Sequence, residues 1–383
     1  AASLYSNTTG GSNTATGYRS LYSNTTGSYN VAIGSAALNA NTTGAYNTAT
    51  GYRSLYSNTT GNSNSSFGYQ ALNTNTTGSY NAAFGRDALF YNTTGDKNAA
   101  FGYQALTANT TGSFNVASGY QALYNNTTGA SNNAIGFQAL FYNTTGSYNS
   151  AFGALALSAN TTGSYNIAIG DSTLYTNTTG QYNSGVGMKA LYLNTTGSYN
   201  TASGYYSLYS NTTGDNNSAF GRLALSSNTT GGSNTALGAN SLFENTTGDN
   251  NTALGLEALN SNTAGSNNTA LGYRAGYSNS TGSNNVFIGY KAGYNETGSN
   301  KLYIGNAETT NLITGDFSTG ALSLGQTSGT VSVLNNLDVD GTANLDAVDI
   351  DGAVDMASTL TLAGNADFNG DLDVDGTANL DAV

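Results

Sequence analysis

"NTATGYRSLYSNTTG" occupies residues 13–27, and the same fifteen residues return at 47–61. Its last four letters, N-T-T-G, mark the whole chain. Their Asn stands at 7, 24, 41, 58, 75, 92 and so on to 245, always 17 residues apart. The register continues through "NTAG" at Asn262 and "NSTG" at Asn279, then slips by one residue at "NETG", Asn295. A fixed short period is the signature of a repeat architecture and overrides the reading of 383 residues as two or three globular domains. The chain reads as one quasi-linear object in which each unit touches its neighbours.

The unit can be numbered from the Asn of N-T-T-G. Unit position 7 is again Asn (Asn13, Asn30, Asn47, Asn81), and position 11 is Gly (Gly17, Gly34, Gly51). Position 9 is nearly always Ala, position 14 is small, and position 15 is Leu from Leu21 to Leu259. Seventeen residues are too few for a helix pair, and Gly and Asn oppose helix. Around Ala32 the fixed residues Asn30, Ala32 and Gly34 alternate with the variable Tyr29, Val31 and Ile33. That period of two means strand with one strictly specified face. Two short strands per unit are predicted, Tyr29–Ile33 and Ala36–Asn39 in this copy, with turns at N-T-T-G and around Gly34. The Gly positions are expected to supply backbone conformations closed to residues with a Cβ. The fold class is therefore all-β, a β-solenoid or β-roll of 17-residue coils, with Ala32, Ala37 and Leu38 filling a narrow interior.

In such a solenoid the same residue recurs about every 4.8 Å along the axis. Stacked Asn side chains can then hydrogen-bond from coil to coil, as in cross-β stacks. Asn24, Asn41, Asn58, Asn75 and Asn92 are predicted to form one ladder, and Asn30, Asn47 and Asn81 another. The N-T-T triplet also matches the N-x-[ST] acceptor, so Asn7, Asn24, Asn41 and Asn58 are candidate N-glycosylation sites. The ladder explains the Gly of the motif as well, which the acceptor reading does not.

Position 10 is apolar in 13 of 17 units, among them Ile33, Phe67, Phe84, Phe101, Ile135 and Phe152. Its parity is opposite to that of the Ala set, so either it points out of the coil as a stripe along the rod, or it fills the interior and the Ala face is buried between chains; both assignments leave one apolar face to cover. Stripes that large are rarely left in water. Self-association is the simplest remedy, and a homotrimer meeting along this stripe is predicted. Recurrent Tyr (Tyr29 and Tyr46, Tyr18 and Tyr52, Tyr22 and Tyr56) should form stacked aromatic rows, with contact to carbohydrate, such as cell-surface glycans, as the sharper alternative. Thr in every N-T-T raises ice binding as another alternative, although adjacent Thr point to opposite sides of a strand.

"YNVAIGSAAL" at 29–38 and "YNIAIGDSTL" at 165–174 resemble the N-S-V-A-I-G repeat of trimeric autotransporter adhesin heads. The phrase N-T-T-G-S-Y-N-x-A-x-G-Y-Q-A-L is similar to repeats of bacterial and phage tail-fibre-like proteins, which often end in a self-cleaving chaperone of the endosialidase type. "GSNKLYIGN" at 298–306 resembles the junction where such arrays finish. The resemblance covers about residues 1–306 and implies a trimeric β-roll on a cell or virion surface.

After Lys301 there is no Lys or Arg. Residues 1–301 hold nine basic and eight acidic residues, a net of +1, and 302–383 hold none and thirteen, a net of −13. "LDVDGTANLDAV" stands at 337–348 and again at 372–383. Three regions are expected: a solenoid array over 1–300, a terminal coil and transition over 301–334, and Asp-rich β repeats of a thinner fibre shaft over 335–383. The recurrent Leu is replaced by Gly276 and Gly293, so strand direction or cross-section should change by 305–320. Asp371, Asp373 and Asp375 before Gly376 resemble the start of a Ca²⁺ loop, but the twelfth place is Ala382 and the flanking Leu372 and Val374 suit a strand. No other cofactor is expected. The opening inside a repeat and the close at the end of a copy suggest a segment of a longer protein.

The chain has no His and no Cys, which excludes His-based triads, thiol chemistry and the usual zinc sites. It contains no apolar run long enough for a membrane span. An acidic chain lacks the basic footprint of a nucleic-acid binder. An extracellular structural or adhesive fibre without catalysis is the expected function, whether adhesin head, tail fibre or self-assembling filament.

Overall fold

The computed structural model describes residues 2–325. The fold is an all-β solenoid with one coil per 17-residue repeat. Each coil contributes one three-residue strand, from β1 (Thr14–Thr16) and β2 (Val31–Ile33) through β3 (Thr48–Thr50) to β17 (Val286–Ile288). Successive strands pair in parallel and in register, so Ala32 faces both Ala15 and Ala49. Seventeen strands at about 4.8 Å make a sheet about 80 Å long. The middle residue of each strand points inward, and Ala32, Ala37 and Leu38 are fully buried.

The second predicted strand does not form. The segment from Gly34 to Leu38 is a curl in which every second residue has positive φ: Gly34 at 134°, Ala36 at 57° and Leu38 at 52°. Alternation of φ sign has the same period as a strand, but it turns the chain and lets the adjacent Ala37 and Leu38 both face inward. A strand would send them to opposite sides. The left-handed conformation costs an L-residue roughly 1–2 kcal/mol. Here it is offset by backbone bonds between coils: Ala36 N–H donates to Tyr18 O at 2.7 Å and Leu38 N–H to Ser54 O at 3.0 Å.

The two recurrent glycines are required for different reasons. Gly34 lies in a φ region closed to side chains. Gly27 of N-T-T-G has no positive φ, contrary to the conformational role expected of it. A Cβ there would overlap the Gly44 carbonyl oxygen and lie 2.5 Å from Asn24 Oδ1. Close approach of the next coil, rather than φ, excludes a side chain.

The core varies by compensating pairs. Ser66 replaces the inward Ala and faces Ser54, whose hydroxyl donates to Ser66 Oγ at 2.7 Å; Ser66 in turn donates to Ala71 O at 2.8 Å. Thr173 replaces a small residue, and the facing inward residue is Gly185, where a Cβ would lie 2.6 Å from the Thr173 methyl. The largest exchange is in the last coils. The fully buried Phe287 takes the inward Ala place, and its ring fills the space that Leu would occupy at Gly276 and Gly293.

β18 (Lys301–Gly305) still pairs in parallel with β17, but β19 (Asn311–Asp316) and β20 (Ala321–Leu324) pair antiparallel. Strand direction therefore reverses between Gly305 and Asn311. The proposed shaft, 335–383, lies outside the described residues.

Candidate functional surface

Two stacks of buried Asn run through the array. In the first, Asn24 Nδ2 donates to Asn7 Oδ1 at 2.7 Å and to Gly27 O at 2.9 Å. The pattern repeats at Asn41, Asn58, Asn75 and Asn92, with side-chain bonds of 2.7–2.8 Å, and reaches Asn262, which donates to Asn245. Both amide hydrogens are used, and Asn24, Asn41 and Asn58 are fully buried. Asn7, at the first coil, is half-buried and donates to Gly10 O. A glycan on the buried amides of Asn24, Asn41 or Asn58 has no space in the folded array and would remove a ladder hydrogen bond, and the acceptor reading is corrected at those three positions.

The second stack runs through the backbone. Asn30 Oδ1 accepts from the backbone N–H of Asn47 at 2.9 Å, and Asn30 Nδ2 donates to Gly44 O at 2.9 Å. Asn81 N–H likewise donates to Asn64 Oδ1, and Asn81 Nδ2 to Gly95 O. The two Thr of N-T-T part company. Thr25 Oγ1 donates to Thr42 O at 3.0 Å, whereas Thr26 is exposed. Each coil thus presents one free-standing Thr rank on this corner instead of the two that a flat ice-matching array needs.

The sheet face carries the outward stripe. Ile33, Phe67, Phe84, Phe101, Ile135 and Phe152 are each between 36% and 43% exposed, large fractions for such side chains in a paired sheet. Phe67, Phe84 and Phe101 stack at 4.8 and 5.1 Å between ring centroids.

Aromatic columns flank it. At unit position 6, Tyr148, Tyr165, Tyr182 and Tyr199 stack at 4.9, 4.9 and 5.0 Å. Tyr29 and Tyr46 do the same at 5.0 Å. Rings stacked this closely cover one another's faces and offer water mainly their edges. Cations sit beside other rings: the Arg53 guanidinium is 5.3 Å from the centroids of both Tyr52 and Tyr56, and Arg19 lies between Tyr18 and Tyr22. Lys189 Nζ donates to Tyr206 OH at 3.1 Å, which raises the ammonium pKa and lowers that of the phenol. Unit position 13 adds an amide ladder, with Gln121 donating to Gln104 at 2.9 Å and Gln138 to Gln121 at 3.0 Å.

At the far end the chemistry changes to charge. Lys291 pairs with Glu308 at 2.8 Å and Lys301 with Asp316 at 2.7 Å. Lys301 and Ser318 hold the Asp316 carboxyl well below the usual carboxylate range, and Lys291 lowers Glu308. Burial, helped by a 2.6 Å bond to Glu296, pushes the Tyr303 phenol up to about 12. Among the described residues no group of three or more acidic, His or Cys side chains could hold a metal. Asp371, Asp373 and Asp375 lie outside the described residues.

Comparison of the chain with protein-family models, with curated proteins and with solved structures finds no match.

Proposed function

We propose that the chain is a rigid segment of an extracellular fibre, structural and adhesive rather than catalytic, that associates with copies of itself along the sheet face. Adhesin head, tail fibre and self-assembling filament are the forms of this reading that the sequence resemblance favours. The carrying observation is the exposed position-10 stripe, apolar in 13 of 17 coils and running the length of the sheet. The stripe runs about 80 Å along the sheet, and a continuous apolar face of that length suits a specific contact better than exposure to water. A homotrimer with three stripes meeting near one axis is the expected assembly, consistent with closed symmetry.

Light scattering on the full 383-residue chain tests this. A mass near three times 39.0 kDa is expected. Changing Phe67, Phe84 and Phe101 together to Asp should give monomers with an intact β spectrum, because the three rings lie outside the coil. A parent chain that stays monomeric at micromolar concentration contradicts the reading.

A further inference from the structure

The aromatic column at unit position 16 is interrupted, and each interruption is one coil wide. The breaks are Asn39, Asn73, Thr107, Ser158, Ser226 and Asn260, each with an aromatic residue in the coil before and the coil after. Four of the six small polar residues fold back onto the chain. Thr107 Oγ1 donates to Asp87 O at 3.0 Å, and Asn39, Asn73 and Asn260 donate to the equivalent carbonyls of Arg19, Arg53 and Asn240. Thr107 is thereby drawn in to 5% exposure, and its ring-sized place is left open. An open cavity of about 240 Å³ lies there, lined by Phe90 and Tyr124 from the flanking coils and by Gln70, Gln104 and Asp87.

We propose that this slot binds a terminal or branching pyranose residue of a glycan. Phe90 and Tyr124 are two coils apart, so their rings stand about 9.6 Å from each other along the axis. Contact at about 4 Å on each side leaves about 1.6 Å for the occupant's own thickness. The gap takes a single ring-sized group, as the rings stacked 5.2 Å apart elsewhere in this column show, and the chemistry of the walls and rim rather than the thickness selects a sugar. Tyr124 stacks on Phe141 at 5.3 Å with planes 7° apart, so its ring lies across the rod axis and only its other side meets the slot. Within an uninterrupted column such faces are covered by the next ring, as at Tyr165, Tyr182 and Tyr192. The electron-rich ring face attracts the weakly positive C–H groups of a sugar. The rim supplies matching polar groups: the amides of Gln70 and Gln104 offer donors and acceptors, and Arg86 Nε, 3.2 Å from Asp87 Oδ2, orients a carboxylate that accepts from hydroxyls. An internal residue of a glycan running along the rod would lie parallel to the axis and could not enter, so the occupant is an end or a branch. Slots at Asn39, Asn73 and Thr107 recur every 34 residues, which suits multivalent capture.

This gives the adhesive part of the reading above a ligand chemistry, and its failure would leave the rod and its self-association untouched. The test uses the full chain with methyl pyranosides of glucose, galactose and N-acetylglucosamine as probes, read by saturation-transfer NMR. Changing all six break residues to Tyr should cut the signal about tenfold or more while preserving the melting temperature, because Tyr175, Tyr192 and Tyr209 already stack at this position at 5.2 Å. In the parent chain the Thr107 methyl resonance should shift as glycoside is added, which decides the matter even if the six-fold variant does not fold. An unmoved Thr107 methyl with all three probes, or unchanged binding by a folded six-fold variant, overturns the proposal. So does a variant that changes only the assembly mass, since the slots would then seat an aromatic side chain of a second copy.

Discussion

The coils up to Gly272 and the segment after it follow the same backbone path at first but are held by different forces. In the array every coil repeats the same neutral bonds: the buried Asn stacks, the Thr hydroxyls and the in-register strands. Near the end the ladder stops. Asn262 still donates to Asn245, but Asn262 Oδ1 and Asn279 Oδ1 are buried with no hydrogen-bond partner among the described residues. The first orphan lies one coil ahead of the one-residue slip and the second lies at it. Asn295, the next corner, is turned to Glu308, and Lys301 N–H reaches Asn285 Oδ1 across a 16-residue step. Ion pairs then take over, and Phe287 with two facing glycines replaces the Leu row. One repeat geometry thus tolerates two core solutions but only one register. The sheet itself continues past the slip, through β18 in parallel and then β19 and β20 antiparallel.

The largest effect should come from the core exchange. Phe287→Ala removes a fully buried ring and should cost about 3–5 kcal/mol, read as a lower denaturation midpoint of the last coils. Adding Gly276→Leu and Gly293→Leu should recover most of the loss, because both glycines sit near φ 60°, close to the 49° of Leu259. Failure of the triple variant to regain stability would mean that the two ends are not alternative packings of one coil.

A smaller effect is expected inside the array. Asn143→Ala leaves Asn126 Oδ1 and Asn160 Nδ2 without their ladder partner and should cost about 1–3 kcal/mol by chemical denaturation. Asn279→Ala, where the ladder already ends and one acceptor is orphaned, should cost less. Equal costs at the two positions would break the contrast between array and end.

The smallest effect concerns the ion pairs. Each of Lys291→Met and Lys301→Met should leave the array's melting unchanged and loosen only β18 and β19, detected as faster proteolysis within residues 301–316. These pairs are partly exposed, and such pairs contribute little.

Much of this was legible in the 17-residue step. Fixed Asn, Ala and Leu positions located the ladders and the interior, and the parity of Ile33 against Ala32 put the two on opposite faces, while the burial of Ala32 and the exposure of Ile33 decide which is outside. The second strand was misread because alternating φ sign imitates the period of a strand. The adjacent fixed pair Ala37 and Leu38 was the signal against it, since a strand cannot bury both. The corner Gly was read as conformational because the approach of Gly44 O to Gly27 exists only once coils are stacked. Phe287 makes sense of Gly276 and Gly293 only in three dimensions, where residues 11 and 6 apart in the chain meet. The breaks at Asn39, Asn73 and Thr107 were visible as letters, but the slot depends on the fold-back bond of Thr107 to Asp87 O.

Hydrogen exchange with mass spectrometry at about pH 7 and about pH 2 tests the central contrast most directly. Asp316 and Glu308 have depressed folded pKa values, so their contribution is complete above about pH 4 and is lost progressively as pH falls below it. The Asn ladders do not titrate. After correction for intrinsic rates, protection should be unchanged from residue 24 to 262, apart from the amides of Ser79, Ser198 and Gly232 that donate to Asp96, Asp215 and Asp249, and should fall over 301–316. Loss of protection across the whole array in acid, or its full retention over 301–316, would contradict the account of a neutral ladder closed by a charged end.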